Sequence, residues 1–151
     1  MAAQQVRDVL ARMRSLHNRL SRSFDEIRQD SDDHRVRSAL RCMTAHEKQL
    51  RKWVEDIGAH ADDGILNTWI QFAPGFALDQ VLEEHAVTAD MDPEEILTTA
   101  VALDQALLGL YRRLVDSASA PRVKEMFENL LQLVEIKDLQ FTRTAVEMVD
   151  E

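Results

Sequence analysis

Apolar residues recur at steps of three and four along four segments of the chain, and this spacing is typical of amphipathic helices. The segments run from Leu10 to Ile27, from Val36 to Ile57, from Leu97 to Leu114 and from Val123 to Met148. The residues between the apolar positions are mostly polar or charged, so each helix has one face suited to a core and one suited to water. The pattern therefore predicts an all-α protein with four long helices.

The residues at the predicted helix ends divide the chain into two hairpins. Asp92-Pro93-Glu94-Glu95 offers an N-cap, a proline at the first helical position and an acid at the third, and Ser119-Ala120-Pro121 opens the fourth helix in a similar way. Because the turns near residues 29–33 and 117–120 are short, consecutive helices should pack antiparallel. We expect one domain over residues 1–151, with hairpins at 4–58 and 94–149.

The segment between the hairpins, residues 59–93, is too long for a simple turn. It is also rich in apolar side chains, namely Ile65, Leu66, Trp69, Ile70, Phe72, Phe76 and Leu78. We interpret it as a crossover that runs the length of the bundle and packs on it. Trp69 and Phe72 either cover the core in this way or form a dimer interface.

The two hairpins repeat each other at an offset of 87 residues. Leu10, Leu16, Leu20, Arg35 and Val36 recur as Leu97, Leu103, Leu107, Arg122 and Val123. The apolar spacing is preserved through both helices and the turn, although few residues are identical. This register indicates a duplicated helical hairpin.

The charge distribution limits the possible partners. The net charge is −9, which argues against nucleic acid, because a nucleic-acid surface needs basic residues. Residues 1–60 hold 12 Lys and Arg against 9 Asp and Glu, a net of +3, whereas residues 61–151 hold 6 against 18, a net of −12. The first helix carries a basic series, which either binds an anion or lies against the acidic half and the solvent: Arg7, Arg12, Arg14, Arg19 and Arg22.

Further features of the sequence favour a cytoplasmic protein. The single cysteine, Cys42, excludes an internal disulfide and suits a reducing compartment. No apolar run approaches the roughly 20 residues that are needed to cross a bilayer, and the N-terminal segment lacks the apolar core of a signal peptide. We expect no contact with membranes.

Four ionisable residues interrupt the apolar stripes near the middle of the helices: His17, Glu47, Asp104 and Lys137. In an assembled bundle they would converge at the same height inside the core. An unpaired buried charge costs several kcal/mol, so we expect these residues to pair with one another.

Two stretches, RLSRSFDEIRQDSDDHRVRSALRCMTAHEKQL and QALLGLYRRLVDSASAPRVKEMFENL, resemble the rubrerythrin-type hairpins of the ferritin-like superfamily. The resemblance covers roughly residues 4–57 and 93–147 and implies a ferritin-like four-helix bundle of two antiparallel hairpins. In that family each first helix carries a carboxylate ligand seven residues before an aromatic, and each second helix carries Glu-x-x-His around two irons. Asp104 lies seven residues before Tyr111 and matches one such carboxylate, while His17 holds the equivalent place before Phe24.

Within the same resemblance, Glu47 matches the glutamate of the first Glu-x-x-His, but Leu50 stands where the histidine would be. In the second hairpin the two ligand positions hold Val134 and Lys137. The set His17, Glu47 and Asp104 is too small for two irons. Three interpretations stay open: a closed polar layer in which Lys137 replaces the metal charge, exposure of some members at the bundle edge, and a single residual iron, zinc or manganese ion.

We therefore expect a non-catalytic protein, without a cofactor, that acts through self-association or a protein partner, with a dimer favoured. The alternative is a metalloprotein with a residual ion and weak redox activity. Phosphotransfer through His46, beside Glu47 and Lys48, is a third possibility and requires His46 to face outwards. Cys42 is expected to fill space beside the core rather than to act as a nucleophile.

Overall fold

The computed structural model describes residues 3–71 and 74–150, apart from the side chains of 74–78 and 149–150. These residues form six helices and two short strands. The elements are β1 (Ala3–Gln5), α1 (Val6–Asp30), α2 (His34–His60), α3 (Asp63–Leu66), β2 (Trp69–Gln71), α4 (Pro74–Glu84), α5 (Pro93–Ser117) and α6 (Pro121–Asp150). The predicted all-α class is confirmed, and the four predicted helices correspond to α1, α2, α5 and α6.

The long helices pack in the two predicted pairs, α1 with α2 and α5 with α6. Capping residues fix where they begin. The Asp33 carboxylate accepts hydrogen bonds from the backbone N–H groups of Arg35 and Val36 at 2.8 and 3.3 Å. Asp92 and Glu95 form a reciprocal capping box at the start of α5, so the N-cap predicted at Asp92 is confirmed.

The core lies between the long helices and is built from the apolar stripes. Met13 of α1, Leu50 of α2, Leu107 of α5 and Phe127 of α6 are each at most 2% exposed. Helix α2 packs against all three other long helices, α1, α5 and α6. Because α2 is surrounded in this way, its polar residues His46 and Glu47 are both buried.

The connector covers the core only in part. Strand β2 pairs antiparallel with β1, and Gln4 lies opposite Ile70. Since successive strand residues point to opposite faces, Ile70 is 5% exposed while Trp69 is 63% exposed. Ile65 and Leu66 are half-buried against the core. The expected core contact therefore holds for these three residues and fails for Trp69, whereas Phe72 and the side chains of Phe76 and Leu78 lie outside the described part.

A search of the described helices for a membrane span finds none that is both long and apolar enough.

Candidate metal centre

Six polar side chains are buried where the four long helices meet, and we call them the polar centre: His17, His46, Glu47, Asp104, Tyr111 and Asp138. They come from all four long helices. None is more than 4% exposed. Burial of so many polar groups is stable only when they satisfy one another or bind something else.

The first half of the polar centre is a hydrogen-bonded chain. His17 Nδ1 lies 3.0 Å from Glu47 Oε2, and His17 Nε2 lies 2.6 Å from the Tyr111 hydroxyl. Burial raises the pKa of Tyr111 well above its ordinary value, so the phenol keeps its proton and can donate it to Nε2. His17 then donates from Nδ1 to the Glu47 carboxylate, and each contact has one donor and one acceptor.

The second half is a cluster of one imidazole and two carboxylates, which we call the His46 cluster: His46, Asp104 and Asp138. His46 Nε2 lies 2.8 Å from Asp104 Oδ2 and 3.2 Å from Asp138 Oδ1. The His46 ring stacks on Phe141, with centroids 4.4 Å apart and planes at 17°. This stacking holds the ring in the orientation that faces both acids.

The contacts within the His46 cluster have the length of hydrogen bonds but not their direction. His46 Nε2, Asp104 Oδ2 and Asp138 Oδ1 are buried, and none has an aligned hydrogen-bond partner among the described residues. His46 Nδ1 is likewise buried without a partner. The three facing atoms converge as ion pairs rather than as donor and acceptor, which is unusual for buried polar groups.

Burial and charge shift the titration of this cluster. Burial raises the pKa of Asp104 to about 7 and also raises the pKa of Asp138. Burial alone would lower the pKa of His46, but the adjoining Asp104 and Asp138 carboxyls and the nearby charge of Glu47 raise it to about 10. At neutral pH the metal-free cluster therefore holds an imidazolium between two acids that resist ionising together.

The His46 cluster has the ligand types and spacing of a single-metal site. One ligand atom from each residue lies within 4.8 Å of the other two. Atoms bound at about 2.1 Å from one ion are about 3.0 Å apart at a right angle and about 3.4 Å apart at the tetrahedral angle. The distances of 2.8 and 3.2 Å from His46 to its two acids are close to these values.

The structure places the predicted site residues in different parts of the polar centre. His17 and Glu47 bond to each other, and Asp104 belongs to the His46 cluster. Whether these three residues share an ion stays a prediction. Lys137 is only half-buried, and no ion pair within 4.0 Å joins it to a described residue. The expected pairing of Lys137 with Glu47 and Asp104 is therefore wrong, because the two acids pair with histidines instead.

Sequence analysis missed two members of the cluster, His46 and Asp138. On α6 the buried positions after Val134 are Asp138 and then Phe141, a step of four and a step of three. The sequence pattern allows either step first, so it places Lys137 on the buried face as readily as Asp138. Glu47 occupies the apolar stripe, which puts His46 to one side of it, yet α2 contacts helices on both sides and buries both residues.

Two alternative chemistries depend on residues of α2. His46 is 4% exposed, which contradicts the outward-facing histidine that phosphotransfer requires. Cys42 is free and half-buried, and burial raises the pKa of its thiol. It therefore stays protonated at neutral pH and is a poor nucleophile.

Comparison of the chain with models of known protein families, with curated proteins and with solved structures finds no match.

Proposed function

We propose that the protein binds one divalent transition-metal ion at the His46 cluster, in the core of the helical bundle. One observation carries the proposal: three buried ligand atoms, from His46, Asp104 and Asp138, face one another without aligned hydrogen bonds. An ion would satisfy all three at once. Without an ion, the same atoms form two ion pairs whose geometry is poorly aligned for hydrogen bonds.

Charge balance supports this assignment. Two carboxylates and a neutral imidazole offset the two positive charges of a divalent cation, so the ion and its three ligands together carry no net charge, and net charge is costly in the core. Glu47, whose charge reaches both His46 and Asp104, adds a further attraction for a cation. One nitrogen and two oxygen ligands suit manganese, iron(II) or zinc. Such an ion supplies Lewis acidity when it is bound.

The hydrogen-bonded chain from Tyr111 through His17 to Glu47 lies next to the cluster, since Glu47 and His46 are neighbours on α2. Glu47 follows His46 directly on α2, so a shift of the backbone at one residue displaces the other. By holding Glu47 at 3.0 Å, His17 fixes this part of α2 beside the acids of α5 and α6. Outer residues of this kind orient metal ligands in many sites.

We expect protein purified without chelator to contain close to one equivalent of manganese, iron or zinc, as measured by elemental analysis. Asp138→Asn should lower the metal affinity by more than about tenfold, because it removes a charged ligand. Glu47→Gln tests the alternative set of His17, Glu47 and Asp104, and it should retain the ion in our assignment. Asp116→Asn is the matched control, since this exposed acid lies on α5 away from the site.

Absence of metal from the purified protein, together with no binding of added zinc, manganese or cobalt to protein refolded in their presence, would contradict the proposal. Loss of metal in Glu47→Gln but not in Asp138→Asn would assign the ion to His17, Glu47 and Asp104, the set predicted from the sequence. The two assignments are therefore separated by one pair of variants.

We further propose a ferritin-like arrangement of the four long helices and a cytoplasmic location. Two helix pairs around a buried polar centre support the arrangement. The site nevertheless differs from the family pattern, because His46 and Asp138 are not the residues that match its ligands. The free Cys42 is compatible with a reducing cytoplasm.

Self-association is a second candidate function, favoured by the outer face of α6. This face carries Gln132, Ile136, Leu139, Arg143 and Val146 at steps of four and three. Ile136, Leu139 and Val146 are 57%, 60% and 55% exposed. The spacing is that of a helix-pairing seam. In an antiparallel pair centred on Leu139, Arg143 of each copy would lie level with Glu135 of the other. We therefore propose that a second copy of the chain packs against this face of α6.

We expect Leu139→Glu to convert a dimer into a monomer in light scattering, because it places two like charges at the centre of the pair. The matched control is Leu133→Glu, since Leu133 is 37% exposed but lies to one side of the seam. A wild-type protein that is monomeric at high concentration would contradict this second candidate and would leave the metal site unaffected.

A further inference from the structure

A small cavity adjoins the His46 cluster inside the bundle. It has a volume of about 10 Å³, and His46, Glu47 and Asp104 form its polar wall. Its apolar wall consists of Phe24, Met43, Ala100, Leu103 and Phe141. Every one of these eight residues is at most 5% exposed, so the cavity lies among side chains of the packed core.

The volume corresponds to a single water molecule, since a cavity needs about 10–15 Å³ to hold one. A buried water also needs two to four polar partners. His46, Glu47 and Asp104 provide these partners, whereas the other five lining residues are apolar. A molecule in the cavity would therefore lie against the two ligand residues His46 and Asp104 and against Glu47.

From this geometry we infer that the metal site accepts exogenous ligands of only one or two non-hydrogen atoms, such as water, hydroxide or a diatomic gas. The inference rests on the proposed function. Three protein ligands leave at least one position on the ion open, and this cavity borders both His46 and Asp104. A larger pocket of about 350 Å³ borders His46 but not Asp104. Imidazole, carboxylates and phosphates are too large for it.

The packing of the apolar wall explains why larger ligands are excluded. Met43 is 1% exposed, Leu103 is 2% exposed and Ala100 is 3% exposed. Close-packed interiors do not yield without a loss of contacts, so space for a larger ligand has to be created by mutation. Leu103→Ala enlarges the cavity, whereas Ala100→Leu fills it.

The test uses protein loaded with iron(II) under anaerobic conditions, with metal content measured for every sample. Nitric oxide should give a near-stoichiometric ferrous-nitrosyl signal in electron paramagnetic resonance, and millimolar imidazole should neither change that signal nor displace nitric oxide. Leu103→Ala should bind imidazole at least about tenfold more tightly than wild type. The control Leu110→Ala removes an equally buried leucine of α5 that does not line the cavity, and it should behave as wild type.

Ala100→Leu should retain iron but lose the nitrosyl signal. If iron is bound and wild type takes up imidazole as well as Leu103→Ala does, the size limit is overturned while the metal site stands. If no metal binds, the proposed function fails, and the cavity is tested without metal by oxygen-17 relaxation dispersion. One long-lived internal water that disappears in Ala100→Leu would support a one-molecule cavity, and no such water in wild type would overturn it.

Discussion

Replacement of His17 by leucine is expected to lower the free energy of unfolding by about 2–6 kcal/mol, because it leaves two buried groups unsatisfied at about 1–3 kcal/mol each. His17 is fully buried, and its two ring nitrogens hold Glu47 and Tyr111. Leucine fills similar space but leaves a buried carboxylate and a buried hydroxyl without partners. Since whole domains are stable by only about 5–15 kcal/mol, urea unfolding at neutral pH with chelator should show a large loss.

A double-mutant cycle separates pairing from packing. His17→Leu/Glu47→Leu removes both members of the pair, so its loss should be clearly smaller than the sum of the two single losses. Tyr111→Phe removes only the hydroxyl and should cost about 1–3 kcal/mol, the usual effect of leaving one buried group unsatisfied. Additive single and double effects would show that His17 and Glu47 act independently, contrary to the structure.

The fold was largely predictable because helical periodicity is a strong local signal. The stripes from Leu10 to Ile27 and from Val36 to Ile57 fall within α1 and α2. Asp92 and Pro121 stand at the predicted beginnings of α5 and α6. These features depend on residues that are close in sequence, and capping and amphipathicity act over one or two turns.

The connector was less predictable because its contacts are distant in sequence. Strand β2 exists through pairing with β1, about 65 residues away, and each strand has only three residues. Three residues are too few for an alternation of polar and apolar positions to be recognised in the sequence. Once the pair is formed, however, the opposite burial of Trp69 and Ile70 follows from strand geometry.

The residues of the polar centre could be predicted only in part. The sequence marked the middle of the bundle as polar and selected Asp104 and Glu47 as buried acids, which the structure confirms. It could not decide between Lys137 and Asp138, because steps of three and four are both helical. Side-chain length offers one usable signal: of these two neighbours, lysine can extend its amine to solvent more easily than aspartate can extend its carboxylate.

The stability of the metal-free protein is expected to fall as the pH rises, and this follows from the raised pKa values of the cluster. The pKa of Asp104 rises from 3.8 to about 7, so its contribution is complete below pH 3.8 and is lost as the pH rises through about 7. The pKa of His46 rises from 6.5 to about 10, so its contribution is complete below pH 6.5 and is lost through about 10. In both cases the folded state binds more protons than the unfolded state, and each pKa unit corresponds to about 1.4 kcal/mol.

Urea unfolding with chelator at pH 5.5, 7.5 and 9.5 measures this slope, and Asp104→Asn/Asp138→Asn should flatten it by removing both acids. Excess zinc should act in the opposite direction, because a metal needs the deprotonated imidazole and carboxylates and therefore competes with protons. The stabilisation by zinc should thus grow from pH 5.5 to 7.5 in wild type and be absent from the double variant. Parallel profiles for the two proteins, with and without zinc, would show that the cluster controls neither the pH dependence nor metal binding.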